Sequence, residues 1–171
     1  MPRYVAFLRG VSPVNANMPE LAHAFVAAGF TNIKTVLSSG NIVFDARAAS
    51  ESSLERKAET SMQVTLGRTF YTIVRPVSAL RSLLETDPYG LFASPPDAKR
   101  VVSFLREPCA AKFALPLASD GAQILGILRR EEFTVYVRSD KGPVFMKLIE
   151  NAFGREITTR TWETVKKCAA V

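Results

Sequence analysis

Apolar positions in this chain fall into short runs and helical stripes, and one order of elements occurs twice. Arg3 to Leu8 is an apolar run too short for a helix, which reads as a strand buried on both faces. Gly10 to Asn17 follows as a loop. Asn17 and Glu20 then form a capping-box-like pair, with Pro19 tolerated in the first turn. Leu21, Ala24, Phe25 and Ala28 recur at helical spacing, and Gly29 supplies the stop. Ile33 to Leu37 predicts a second strand, Ser38-Ser39-Gly40 a turn, and Asn41 to Phe44 a third strand. Leu54, Ala58, Met62 and Leu66 predict a helix ending at Gly67, and Phe70 to Val74 a fourth strand. A further helix is expected around Ser78 to Glu85.

The second copy begins after Asp87-Pro88-Tyr89-Gly90 and Ser94-Pro95-Pro96. Arg100 to Arg106 reads as a strand, and Cys109 to Leu117 as a short helical or irregular crossover, because Pro108 and Pro116 leave little room for a regular helix. Ile124 to Leu128 and Phe133 to Arg138 make a hairpin about Arg129-Arg130-Glu131. Phe145, Leu148, Ile149, Ala152 and Phe153 give a helix closed by Gly154. Glu156 to Arg160 is a short last strand. A C-terminal helix starts near Thr161 and packs through Trp162, Val165 and Ala169.

The order βαββαβ is that of the ferredoxin-like fold. The expectation is an α+β protein of two tandem ferredoxin-like halves, residues 1–90 and 91–171, with antiparallel sheets, helices on one face and a C-terminal helix. Both predicted sheets are apolar on both faces. One face is expected under helices, and the other against the sister half or another subunit.

Candidate chemistry is sparse. There is no G-x-G-x-x-G and no P-loop, and one His with two distant Cys excludes a zinc site. No metal and no cofactor is expected. His23 lies off the apolar stripe of its helix and reads as a surface residue. Three segments are harder to assign to scaffold alone. Arg9-Gly10 opens the loop after the first strand, Ser38-Ser39-Gly40-Asn41 joins the second and third, and Thr158-Thr159-Arg160-Thr161-Trp162 joins the last strand to the last helix. An Arg at a strand end near helix N-terminal N–H groups makes an anion site. Each segment also has a scaffold reading: turn chemistry for Ser-Gly-Asn, an N-cap for Thr161, a core position for Trp162. The candidate ligand-binding residues are Arg9, Gly10, Ser39, Gly40, Asn41, Arg160 and Trp162.

Charge changes the picture a little. The net charge of +6 is diffuse, since residues 121–171 carry nine Lys or Arg against six Asp or Glu and no like-charge block stands out. This balance permits attraction to phosphates without requiring it. A hydrophobic fraction of 47% and a charged fraction of 22% suit a soluble globular protein. No apolar run approaches a bilayer span, the N-terminus lacks a secretory layout, and Cys109 and Cys168 read as unpaired thiols; the expected location is the cytoplasm.

The runs Tyr4-Val5-Ala6-Phe7-Leu8-Arg9-Gly10-Val11, Met18-Pro19-Glu20-Leu21, Ala28-Gly29-Phe30 and Ser39-Gly40-Asn41-Ile42-Val43-Phe44 resemble the bacterial domain-of-unknown-function 1697 family. The run Thr158-Thr159-Arg160-Thr161-Trp162-Glu163-Thr164-Val165 is similar to that family's closing motif. The resemblance implies a soluble bacterial protein with the tandem fold and implies no activity. Two departures stand out: Ser12-Pro13-Val14-Asn15-Ala16 replaces a Gly-rich loop, and Thr161 stands where Asn is common.

Three functions compete. The leading one is binding of a phosphate-bearing ligand, a nucleotide, metabolite or RNA, making an anionic small molecule or nucleic acid the expected partner. The second is a metal-independent enzyme on a phosphorylated or acyl-phosphate substrate, with Arg9 holding phosphate and Asn41 positioning water by analogy with ferredoxin-like acylphosphatases. The third is a protein–protein interaction module. Whether there is catalysis, and the oligomeric state, are not fixed by the sequence.

Overall fold

The computed structural model describes residues 1–92, 95–109, 114–136 and 144–171. The protein is mixed α+β, with two antiparallel sheets and, among the described residues, five α-helices. It divides into two compact units, Met1–Leu84 with Thr164–Val171, and Glu85–Glu163.

The first unit contains β1 (Arg3–Leu8), α1 (Met18–Ala27), β2 (Thr31–Val36), β3 (Asn41–Asp45), α2 (Glu51–Leu66), β4 (Thr72–Pro76) and most of α3 (Val77–Thr86). Its sheet has the order β2-β3-β1-β4, with every neighbouring pair antiparallel and a helix in each crossover. Local chemistry sets the helix ends. The Asn17 side chain accepts from the Glu20 N–H at 2.9 Å, and Ser50 caps Ser53 at 3.2 Å. Gly67 closes α2 in the left-handed conformation at φ 73°, its N–H reaching Gln63 O at 3.0 Å.

Leu21, Ala24 and Phe25 of α1 and Leu54, Ala58 and Met62 of α2 bury one face of the sheet, Tyr4, Ala6, Leu8, Ile42, Phe44 and Val74. Phe30 stacks on Phe44 at 4.4 Å within that core. The opposite face, Val5, Phe7, Val43 and Ile73, is equally buried, as the two-sided apolar pattern predicts. At the open corner of the sheet, Arg3 binds Asp45 at 2.6 Å and the Val171 carbonyl at 2.9 Å. That hydrogen bond, with one from Asn32, holds the Asp45 carboxyl below the usual carboxylate range.

The outer edge of β4 has a device that the sequence pattern does not announce. The backbone N–H of Val74 donates to the Glu55 carboxylate at 2.9 Å, and that of Thr72 to Glu59 at 3.4 Å. Residue 76, next in that row, is a proline with no N–H to satisfy. Glu51, one helical turn earlier in α2, lies 3.6 Å from the buried Arg75 guanidinium. Three glutamates at i, i+4 and i+8 thus face β4, two of them capping its edge N–H groups and the third meeting Arg75.

The second unit contains β5 (Lys99–Leu105), β6 (Leu117–Ser119), β7 (Ala122–Leu128), β8 (Glu131–Tyr136), α4 (Val144–Phe153) and β9 (Ile157–Thr161), preceded by a 3-10 turn at Pro88–Leu91. The sheet order is β6-β7-β8-β5-β9. Ile149, Phe145 and Phe153 of α4 pack over Val101, Leu105 and Ile157, and Phe145 stacks on Tyr136 at 4.0 Å. Tyr89 occupies the other face, edge-on to Phe133 at 5.6 Å and donating its hydroxyl to the Val101 carbonyl.

Here the structure corrects the sequence reading. The expected crossover over Cys109 to Leu117 falls partly on residues 110–113, outside the described residues, and Leu117 begins a strand instead. Asp120 and Gly121, at φ 46° and 84°, form a two-residue turn that pairs Ser119 with Ala122. Positive φ at both central positions matches the right-handed twist of a hairpin, which makes Asp-Gly favourable there. Among the described residues no helix lies between β5 and β7. The following hairpin turns on Arg129-Arg130, and β8 ends at Tyr136, so the expected extension to Arg138 lies outside the described residues. α5 (Trp162–Ala169) starts at Trp162, and Thr164–Val171 belong with the first unit, where Arg81 donates to Ala169 O at 3.1 Å.

Removing the Glu55 acceptor should expose how much the β4 edge depends on it. Glu55→Ala leaves the Val74 N–H buried without a partner and should lose about 1–3 kcal/mol in urea unfolding. Glu55→Gln keeps an acceptor oxygen and should lose less. Equal stability of the alanine variant and the wild type would show that the carboxylate is dispensable.

Candidate functional site

Five of the seven candidate residues meet at one end of the first sheet. β1 ends between two anchors, as Leu8 N–H donates to Gly40 O at 2.8 Å and Arg9 N–H to Tyr71 O at 2.8 Å. Arg9 is half-buried at this end, and Gly10 is exposed at φ 81° with nothing within 4 Å of where a Cβ would stand. Asn15 folds the following loop back on itself. Its Nδ2 donates to Gly10 O at 2.6 Å, and its Oδ1 accepts from Ser12 N–H at 2.9 Å.

The turn between β2 and β3 is packed hard against this corner. Gly40 sits at φ 85°, and a Cβ there would stand 2.9 Å from Val11 Cβ and 3.0 Å from both Leu8 Cβ and Leu8 O. Both the conformation and the space require glycine. Asn41 is fully buried on the face away from α1 and α2. Its amide donates to Val36 O at 2.9 Å and to Ser39 Oγ at 3.0 Å. Asn41 thereby holds the turn from inside the sheet.

Arg160 and Trp162 belong to the second unit. Arg160 is half-buried on β9, opposite Val102, and donates to the Thr159 carbonyl at 2.9 Å. Trp162 is 4% exposed and meets Tyr89 edge-on at 5.0 Å. The indole is a core anchor, the scaffold alternative open at the sequence level. Burial holds the Tyr89 phenol far above its ordinary range, with Glu132 adding to the effect.

Sequence reasoning passed over one residue. Glu132 is fully buried on the central strand β8, in a cross-strand row with Ser103 of β5 and Thr159 of β9. Thr134, two residues along the same face, donates its hydroxyl to Glu132 Oε1, while Ser103 and Thr159 bond each other at 2.8 Å. Among the described residues Glu132 Oε2 has no hydrogen-bond partner. Burial pushes the carboxyl up to about 7, against hydroxyl bonds from Thr134 and Ser103 that lower it. The alternation Glu132-Phe133-Thr134-Val135 reads in sequence as a solvated polar face, so no local signal marks this site. Among the described residues no group of three or more His, Cys, Asp or Glu is placed to hold a metal ion. His23 lines an open groove with Glu20 and Arg68 on the helical side of the first unit.

Two measurements check these placements. Gly40→Ala should destabilise by about 2–4 kcal/mol, combining positive-φ strain with overpacking against backbone. Glu132 should make stability fall with rising pH. Below 4.5 both states are protonated. Between 4.5 and about 7 the unfolded chain ionises and the folded protein does not, so stability declines, then levels above 7. The full loss is roughly 3 kcal/mol at about 1.4 kcal/mol per pH unit. Glu132→Gln should flatten this part of the profile in urea titrations across the range. An unchanged slope would mean that Glu132 ionises normally when folded.

Similarity to known proteins fits the fold and leaves activity open. Comparison with curated proteins gives no match. Among solved structures, the chain is similar to a conserved bacterial protein from Streptococcus pneumoniae, at 19% identity and a TM-score of 0.72, covering 99% of this chain and 97% of that one. At this identity the likeness speaks for the fold alone. Among the described residues no helix is long and apolar enough to cross a membrane. The family model for a protein of unknown function, DUF1697, matches residues 1–134, and the chain belongs to that family.

Proposed function

We propose that the protein binds a phosphate-bearing ligand, a nucleotide or phosphorylated metabolite, at the β1 end of its first unit. The observation that carries this reading is the convergence of Arg9, the open Gly10 backbone and the Ser39-Gly40 turn at one sheet corner. An arginine, an exposed glycine backbone and a serine hydroxyl on neighbouring segments are residue types that suit an anion. The net charge of +6 favours approach of anionic ligands. Arg160 and Trp162, the other two candidate residues, belong to the second unit. The buried Trp162 contributes packing, so the proposal rests on the first-unit residues.

RNA is the less favoured ligand. Stacking of bases needs exposed aromatics on the sheet, whereas Tyr4, Phe7 and Phe44 are all buried. The acyl-phosphate enzyme alternative gains nothing from Asn41, whose amide N–H groups hold the turn.

The tandem ferredoxin-like arrangement, with halves 1–90 and 91–171 related by duplication and working in the cytoplasm, is part of the same reading. It is supported by the order β2-β3-β1-β4 in the first sheet and the corresponding order β7-β8-β5-β9 in the second, to which β6 adds an edge.

The test is thermal unfolding with ATP, GTP, pyrophosphate and sugar phosphates at low and moderate salt. A ligand at a hundredfold its Kd should stabilise by about 2.7 kcal/mol. Arg9→Ala should abolish that gain while changing the unliganded midpoint little. Silence across the panel, persistence of the shift in Arg9→Ala, or collapse of that variant without ligand would each overturn the proposal.

A further inference from the structure

Helix α2 sorts its charges between two sides. Its sequence contains Glu51, Glu55 and Glu59 against Arg56 and Lys57, a mildly acidic helix. All three glutamates are engaged at β4, through Arg75 and the N–H groups of Val74 and Thr72. Arg56 and Lys57 remain on the exposed side, the Lys57 ammonium lying 5.9 Å from the centre of the Phe30 ring. The outward face of an acidic helix is thus basic.

That face borders an open groove of about 600 Å³ between α1 and α2. Ala27, Ala28 and Val64 give it an apolar lining, Arg56 and Lys57 its charge, and Ser53 and Thr60 hydroxyl groups. Val64 is 80% exposed. At Thr65 this groove meets a second one of about 480 Å³, which adds Leu66, His23 and Arg68, with Glu20 the one acid. From Ser53 to Thr65 the seam follows about 18 Å of helix at 1.5 Å per residue.

We propose that this seam docks an acidic amphipathic helix from a partner protein. Its apolar side would rest on Ala27, Ala28 and Val64, and its carboxylates would face Arg56 and Lys57. Charge complementarity and the apolar floor select this occupant, with the seam offering room for about three turns. No Phe, Tyr or Trp lines either groove, so a stacking platform for single-stranded nucleic acid is lacking there.

The probe is a set of fluorescein-labelled helical peptides with leucines on one face and glutamates on the other, in several spacings, titrated against the full chain by anisotropy. At least one should bind saturably, and its counterpart with lysines for glutamates should not. The double variant Arg56→Glu/Lys57→Glu and the single variant Val64→Asp should each weaken binding by about tenfold or more. The thermal midpoint of Val64→Asp should match the wild type, because its side chain is 80% exposed, and that of the double variant should fall only slightly, by loss of the Lys57 contact with Phe30. Absence of saturable binding by the whole set, equal binding by the variants, or binding of poly(U) RNA with indifference to Val64→Asp would overturn the proposal. Failure here leaves the Arg9 site standing, since that test uses phosphate ligands and a different residue.

Discussion

Backbone N–H groups on the open side of an edge strand must find an acceptor, and in β4 two glutamates of α2 supply it. Much of the first unit follows from that constraint. It fixes the rotation of α2 about its own axis, because the glutamates at 55 and 59 must face the strand. With that rotation set, Leu54, Ala58 and Met62 turn to the core, while Arg56, Lys57 and Val64 turn outward. Edge protection and surface charge are two consequences of one helix orientation. The same stripe reaches Arg75, whose buried guanidinium also donates to the Val74 carbonyl at 3.0 Å.

The corner where β1 ends shows a second kind of constraint, steric rather than electrostatic. Gly40 permits the β2–β3 turn to rest directly on Leu8 and Val11, and Asn41 ties the turn from inside. The turn thereby carries its exposed residue, Ser39, at the sheet corner where Arg9 and Gly10 leave β1.

In the second unit the organising feature is a polar row inside a sheet. Glu132, Ser103 and Thr159 lie side by side across three strands, with Thr134 bonding the carboxyl from the next position along β8. Burial of a carboxyl with one oxygen unpartnered favours its neutral form, which can donate as well as accept. The arrangement couples the stability of this unit to proton concentration near neutrality.

Local sequence was sufficient for most elements. Helical spacing of Leu54, Ala58 and Met62, the Asn17 cap and the Gly67 stop act within a few residues, so α1 and α2 were legible in the chain. The hairpin at Asp120-Gly121 is equally local, its dipeptide a turn signal close to Pro116, which argues against regular structure nearby. Other features depend on partners remote in sequence. Glu55 looks like a solvated helix residue until Val74 lies beside it, and Asn41 looks available until the turn closes over it. Trp162 offers an aromatic face that Tyr89 occupies. The sequence by itself determined the periodicities, the caps and the residue types at the β1 corner, because these follow from backbone geometry over short spans. Only the tertiary structure decided which polar groups are buried and already satisfied and which face outward, because a side chain's burial and hydrogen bonding depend on residues brought to it from elsewhere in the chain.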